Sequence, residues 1–149
     1  MRAVVQRVTK SSVTVDGKVT GEIGKGLMVL IGVKKGDTRD DGDYIARKIA
    51  ALRIFDDEDG VMNRNIKDAG GDVLAVSQFT LLGDARKGNR PSWFEAAAPE
   101  EANELYQYVI SRLREDGLRV EEGVFQAEMK VDITNDGPVT ILLDSRKDF

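Results

Sequence analysis

The alternation of polar and apolar residues near the start of the chain predicts β-strands. Residues 12–15, Ser-Val-Thr-Val, alternate as in a strand with one exposed face. Residues 16–17, Asp-Gly, form a favoured hairpin turn that leads to a second strand at about 19–23. Residues 27–33 are an unbroken apolar run, which is typical of a strand buried on both faces.

The remaining periodicity predicts two helices and three more strands. Apolar residues recur at helical spacing towards residue 52, so one helix spans roughly 40–52. A clearer helix begins at Pro99 and ends before Gly117. A buried strand is expected at 73–76, and two final strands at about 129–134 and 139–143 flank a turn. The apolar stripe of the second helix, which we expect in the core, is Ala102, Leu105, Tyr106, Val109, Ile110 and Leu113.

This arrangement of elements predicts an α+β fold in which two helices lie on a sheet. The 149 residues fit a single domain. No apolar run approaches the roughly 18 residues of a membrane span, and the first residues lack the apolar segment of a signal peptide. We therefore expect a cytoplasmic protein that has no membrane partner.

The absence of cysteine and histidine narrows the chemistry. It excludes disulfides, thiol nucleophiles and Ser-His pairs, and it removes most zinc sites. The acidic residues 56–60 superficially resemble a calcium loop. Aligning Gly60 with the loop glycine, however, places Phe55 and Ile66 at ligand positions, which favours a plain acidic turn. We expect neither a metal nor a cofactor.

The net charge of −4 disfavours nonspecific binding to nucleic acid, and we expect no DNA partner. A local basic cluster of Arg86, Lys87 and Arg90 nevertheless precedes Trp93 and Phe94. Such a cluster is either a solvated loop or a patch that binds RNA.

Two short segments are candidates for a functional site. Residues 77–81, Ser-Gln-Phe-Thr-Leu, follow a buried strand and offer hydroxyls, an amide and backbone N–H groups to a ligand. Residues 135–140, Asn-Asp-Gly-Pro-Val-Thr, contain a Gly-Pro step with an exposed backbone. From the residues alone, the first segment could equally close its strand with local hydrogen bonds, and the second could be an ordinary turn.

Together these segments resemble the D-aminoacyl-tRNA deacylases, the family of D-tyrosyl-tRNA(Tyr) deacylase. The resemblance also includes residues 1–8, the turn at 24–27, Arg-Pro-Ser at 90–92, and the run 123–140, and so covers nearly the whole chain. Gln126 and Trp93 stand out as less usual residues beside these motifs. On this basis residues 1–149 form one D-aminoacyl-tRNA deacylase domain with a twisted, largely antiparallel, barrel-like sheet.

The resemblance implies an enzyme that hydrolyses the ester joining a D-amino acid to the 3′ end of tRNA. It implies activity on glycyl-tRNA as well, such as tRNA(Ala) mischarged with glycine. It further implies a homodimer in which Gly137-Pro138, with a cis bond, reaches into the partner's pocket and rejects L-amino acids. The implied catalytic residues are Thr80, Phe79 and Gln78, and the implied substrate-binding residues are Ser77, Gly137, Pro138, Met129, Phe125 and Arg7.

The attacking group is the open point of this mechanism. Thr80 is the family's candidate nucleophile, but nothing near it in sequence would activate its hydroxyl. We favour an oxyanion held by the amides around Phe79 and Thr80, with water as attacker and the 2′-hydroxyl of the tRNA as its candidate helper.

Three supporting residues have alternative interpretations. Arg7 either donates hydrogen bonds to carbonyls of the Gly-Pro loop or is a surface arginine. Phe125 and Met129 are either pocket walls or plain core. A non-catalytic RNA-binding module, and a structural dimer without chemistry, are the competing functions.

Overall fold

The computed structural model describes all residues, 1–149. Its strands are β1 (Arg2–Val15), β2 (Lys18–Ile23), β3 (Gly26–Gly32), β4 (Phe55–Asp56), β5 (Met62–Arg64), β6 (Asp72–Ser77), β7 (Val120–Glu122) and β8 (Lys130–Asp144). Its helices are α1 (Arg39–Ala51), α2 (Ile66–Ala69), a 3₁₀ helix (Phe79–Leu82) and α3 (Pro99–Glu115).

The main sheet is six-stranded and is built around the long strand β1. This strand pairs antiparallel with β2 across the predicted hairpin turn, and it also pairs antiparallel with β3 and β8. In contrast, β6 runs parallel to β3, and β7 runs parallel to β6. The sheet is therefore mixed, because helical and loop crossovers return the chain to the same end before β6 and β7.

The two ends of the strand path approach each other and nearly close a barrel. β2 lies at one end of the path and β7 at the other. A Cβ atom built on Gly21 in β2 would lie only 2.7 Å from the carbonyl oxygen of Glu122 in β7. A residue without a side chain is needed for this approach.

The predicted turn and helices are confirmed. Asp16 and Gly17 have φ of 50° and 78°, the positive values that a tight hairpin requires. Thr38 caps α1, which begins one residue earlier than expected. The apolar stripe of α3 is buried against the sheet in the main core cluster. No helix combines the length and the apolar character needed to cross a membrane.

The acidic segment forms a turn between β4 and β5. The Asp57 carboxylate accepts the backbone N–H groups of Asp59 and Val61, at 2.9 and 3.0 Å. These bonds, together with a side-chain bond from Asn63, lower the pKa of Asp57. The carboxylate thus stabilises its own turn.

The prediction of two final strands around a turn is wrong. Residues 130–144 form one strand, β8, that pairs with β1 on both sides of residues 136–139. Gln6 pairs with Thr140 and Val8 with Asn135, so six residues of β8 face three of β1. The extra residues form a bulge rather than a reversal, since β1 provides a continuous template along its whole length.

Candidate active site

The carboxyl ends of three parallel strands converge on one cavity. β3, β6 and β7 run in the same direction, so the segments that follow them meet at the same edge of the sheet. The cavity has a volume of about 620 Å³. Its lining comes from the ends of β3 and β6, the approach to α3, the segment after β7 and the start of β8: Val33, Val76, Ser77, Gln78, Phe79, Trp93, Ala96, Ala97, Pro99, Ala102, Phe125, Gln126, Ala127, Met129 and Val131.

None of these fifteen lining residues carries an ionisable side chain. The lining residues with polar side-chain groups are Ser77, Gln78, Gln126 and Trp93, all of them neutral. The cavity can therefore orient a neutral ester by hydrogen bonds and shape, but its own lining supplies no side-chain general base.

The first turn of the 3₁₀ helix presents free backbone donors beside this cavity. Its first hydrogen bond runs from the N–H of Leu81 to the carbonyl of Gln78, at 3.3 Å. The N–H groups of Phe79 and Thr80 precede that bond and have no carbonyl partner within the helix. Two consecutive unpaired N–H groups are the donors that an oxyanion needs.

Thr80 itself is exposed and does not line the cavity. Its hydroxyl oxygen accepts a hydrogen bond from the side-chain amide of Gln78. No carboxylate, lysine or other base is bonded to it. The surroundings thus provide no group that would take the proton of this hydroxyl.

Phe125 and Met129 are half-buried walls of the cavity. The Phe125 ring packs on that of Tyr106, with centroids 6.3 Å apart. The Tyr106 hydroxyl donates to the carbonyl of Ala75 at 2.8 Å, and burial raises its pKa. Tyr106 therefore stays neutral and supports the wall, and it is not a base.

The bulge that contains Gly137 and Pro138 lies on the surface. Both residues are exposed, and the bond between them is cis, as expected. The Asn135 side chain donates to the carbonyls of Arg7 and Val139, at 2.9 and 3.0 Å, and so fastens both ends of the bulge. Gly137 has a φ of 118°, and a Cβ there would lie 2.8 Å from Cγ2 of Val139.

Arg7 lies beneath this bulge and is buried, with 8 % of its surface exposed. Its guanidinium donates to the carbonyl of Ile54 at 2.8 Å. Its Nε is 3.3 Å from a carboxylate oxygen of Asp136 but makes no hydrogen bond. Arg7 is therefore not a surface arginine, and it contacts the bulge through an ion pair with Asp136 rather than through the carbonyls of Gly137 and Pro138.

Five of the nine predicted site residues meet at the cavity: Ser77, Gln78, Phe79, Phe125 and Met129. Thr80 is adjacent to them. Gly137, Pro138 and Arg7 lie outside the cavity of their own chain. The other ten lining residues were not predicted as site residues, because most of them, such as Ala127 and Val131, are small or aliphatic and carry no chemical signal in a sequence.

The comparisons with known proteins agree with one another. The family model described as D-Tyr-tRNA(Tyr) deacylase matches residues 4–144. The chain is 62% identical to a D-aminoacyl-tRNA deacylase of Anaeromyxobacter dehalogenans and 59% identical to one of Desulfitobacterium hafniense, each over 149 residues and 100% of both chains.

Two solved structures share the architecture. The structure named c-Myc DNA Unwinding Element Binding Protein has a TM-score of 0.91 at 42% identity, and the match covers 97% of this chain and 98% of that one. A probable eukaryotic D-amino acid tRNA deacylase has a TM-score of 0.80 at 18% identity, with 96% and 98% covered, which shows the fold alone.

Proposed function

Since the chain belongs to the D-Tyr-tRNA(Tyr) deacylase family, and is thus a hydrolase of the ester in D-aminoacyl-tRNA, we propose that this ester is cleaved at the cavity after β6. The observation that carries this assignment is an uncharged cavity bordered by the unpaired N–H groups of Phe79 and Thr80. An aminoacyl ester is neutral at its reacting centre, and its carbonyl oxygen becomes negative only when it is attacked. Fixed N–H donors favour that charged state.

Water is the attacking group in this proposal. Its oxygen adds to the ester carbonyl carbon, the bond to the ribose 3′-oxygen breaks, and the proton passes to that oxygen. The lining provides no base for this transfer, so the vicinal 2′-hydroxyl of the substrate orients the water. Gln78 holds the Thr80 hydroxyl and thereby fixes the turn that carries the donors.

In this proposal, the Gly137-Pro138 bulge of a second subunit discriminates between D- and L-aminoacyl-tRNA. Within one chain the bulge is exposed and lies outside the cavity, while the outer edge of β8 has no strand partner. Ile133 and Leu142 are exposed on the same strand, at 38 and 57 %. We infer a symmetric dimer through this face in which each bulge reaches the other subunit's cavity, because Val131 on the same strand lines that cavity.

Main-chain atoms of the bulge, placed where the side chain of a bound L-amino acid would project from Cα, would obstruct every L side chain. Glycine has no side chain to obstruct. The same cavity would therefore also hydrolyse glycyl-tRNA, including tRNA(Ala) mischarged with glycine, because a steric barrier cannot reject a smaller substrate.

The test of the activity is deacylation of D-tyrosyl-tRNA compared with L-tyrosyl-tRNA. We expect release of D-tyrosine only. Release of neither amino acid, or equal release of both, would contradict the proposal. Binding of tRNA without turnover would support the non-catalytic alternative.

The cross-subunit arrangement has a separate test with mixed dimers. Gly137→Ala would displace the bulge, because a φ of 118° is strained with a side chain and the new Cβ would lie 2.8 Å from Cγ2 of Val139, and we expect this variant to hydrolyse L-tyrosyl-tRNA. Gly60→Ala is the matched control, since Gly60 also has a positive φ, of 74°, but has open space around it. Ala127→Trp would fill the cavity and abolish activity.

Equal mixing of Gly137→Ala and Ala127→Trp subunits gives the decisive result. If the bulge acts in trans, about half of the Gly137→Ala cavities receive an intact bulge, and hydrolysis of L-tyrosyl-tRNA per such subunit falls by about half. If the bulge acts on its own chain, mixing leaves that rate unchanged.

A further inference from the structure

A basic and aromatic loop leaves the rim of the cavity. Asp84 and Ser92 pair through two backbone hydrogen bonds of 2.7 and 2.9 Å, which close the loop 85–91 at its base. The next residue, Trp93, lines the cavity, and its ring lies edge-on to Phe79 with centroids 6.0 Å apart. The loop and residues 93–94, which we call the rim segment, are therefore fixed beside the mouth.

Two cations of the rim segment are free to bind a ligand. Arg86 is already paired with Asp84 at 2.6 Å, and this hydrogen bond holds the pKa of Asp84 well below its usual range. Lys87 and Arg90, in contrast, are exposed and have no carboxylate within 4.0 Å. Arg90 is three residues from Trp93, so their Cα atoms are within about 11 Å of each other.

Aromatic faces accompany these cations. Phe94 is 73 % exposed, Phe79 57 % and Trp93 42 %. The Lys35 ammonium lies 3.7 Å from the centroid of the Phe94 ring. The backbone N–H of Lys35 donates to the backbone carbonyl of Glu95 at 2.9 Å, which fixes this part of the segment to the end of β3. The Lys35 ammonium covers one face of Phe94, so a base can stack on the other, exposed face and on Trp93, while the unpaired cations provide charge for phosphates.

We propose that the rim segment binds the single-stranded nucleotides that precede the terminal adenosine of the tRNA. Their bases stack on Phe94 and Trp93, and their phosphates contact Lys87 and Arg90. This inference rests on the proposed function, which places the terminal ester in the cavity. It also explains how a chain with a net charge of −4 could bind a polyanion such as tRNA, because positive charge is concentrated where the 3′ end of the tRNA enters the cavity.

The test compares a long and a short substrate. The double variant Lys87→Glu/Arg90→Glu is measured with D-tyrosyl-tRNA and with D-tyrosyl-adenosine, which lacks the preceding nucleotides. We expect KM for the tRNA to rise about tenfold or more at unchanged kcat, with no effect on the adenosine ester. The slope of log KM against log salt should fall by about 1.4, or about 0.7 for each lost phosphate contact.

The matched control is Lys25→Glu/Lys67→Glu. Both lysines are exposed, and they lie before β3 and β6, at the end of the sheet opposite the cavity. The proposal would be overturned if both double variants raised KM for the tRNA equally. It would also be overturned if Lys87→Glu/Arg90→Glu raised KM for the adenosine ester as much as KM for the tRNA. Failure of the proposed function would instead appear as a wild-type protein that cleaves neither ester.

Stacking is tested separately at Phe94. Phe94→Ala should raise KM for the tRNA at least about fivefold, while Phe94→Trp, which keeps an aromatic face, should restore it. If Phe94→Ala leaves KM for the tRNA unchanged, the stacking proposal is wrong, and a change in sedimentation would then identify the segment as a protein contact.

Discussion

The backbone N–H of Phe79 can be removed by a single substitution, Phe79→Pro. Proline is favoured at the first position of a helix, and Gln78 before it lies outside the helical region, with φ −142° and ψ 87°. The N–H of Phe79 makes no hydrogen bond within the 3₁₀ helix, so its removal should change stability little. The control is Phe79→Ala, which loses the same exposed ring and its contact with Trp93 but keeps the N–H.

The ratio of the deacylation rates of the two variants measures the contribution of the Phe79 N–H alone. Loss of one oxyanion donor lowers a rate by about 10²–10³, or about 2.7–4 kcal/mol of transition-state stabilisation. Single-turnover deacylation of D-tyrosyl-tRNA should therefore be about 10²–10³ slower in Phe79→Pro than in Phe79→Ala. A ratio below about tenfold between two folded variants would refute the assignment of this N–H as an oxyanion donor.

Three further predictions concern the attacking group and the stability of the fold. Thr80→Val removes only one exposed neutral hydrogen bond, so deacylation should slow less than about tenfold, whereas loss of a true nucleophile would slow it by about 10⁴ or more. Asp37→Asn leaves the buried ammonium of Met1, 2.8 Å away, without its counter-ion, and should lower the free energy of unfolding by about 3–5 kcal/mol in urea titrations; a loss below about 1 kcal/mol would contradict this. Burial raises the pKa of Asp41, but hydrogen bonds from the Thr38 N–H and the Ser145 hydroxyl outweigh it and lower that pKa below 3.8. Asp41 thus stabilises the fold above pH about 4, and this contribution disappears as the pH falls through the lowered pKa, so Asp41→Asn should flatten the acid limb of stability against pH.

The local elements could be predicted because their signals lie within a few residues. The Asp-Gly turn, the buried run of β3 and the stripe of α3 depend on backbone preference and on periodicity, which neighbouring residues carry. The same locality explains the error at residues 135–138. Asn-Asp-Gly-Pro has the chemistry of a turn, and only the pairing of β1 with both flanking segments makes it a bulge.

The candidate site was predicted in part for a similar reason. The motif at residues 77–81 and its resemblance to a known family identified Ser77, Gln78 and Phe79, which line the cavity. Nothing in the sequence indicated that Ala127 and Val131 complete the lining. The burial of Arg7, and its proximity to Asp136 rather than to the carbonyls of the bulge, also required the packed structure.

The sequence by itself determined the α+β class, the approximate limits of α1 and α3 but not the short helix α2, the family, and a chemistry without histidine or cysteine, because composition and short-range patterns encode these directly. The tertiary structure alone decided that three parallel strand ends meet, that the resulting cavity holds no ionisable group, and that the Gly137-Pro138 bulge lies outside it. These facts depend on pairings between residues far apart in the chain. Their register is set by the burial of whole strand faces and not by any local preference.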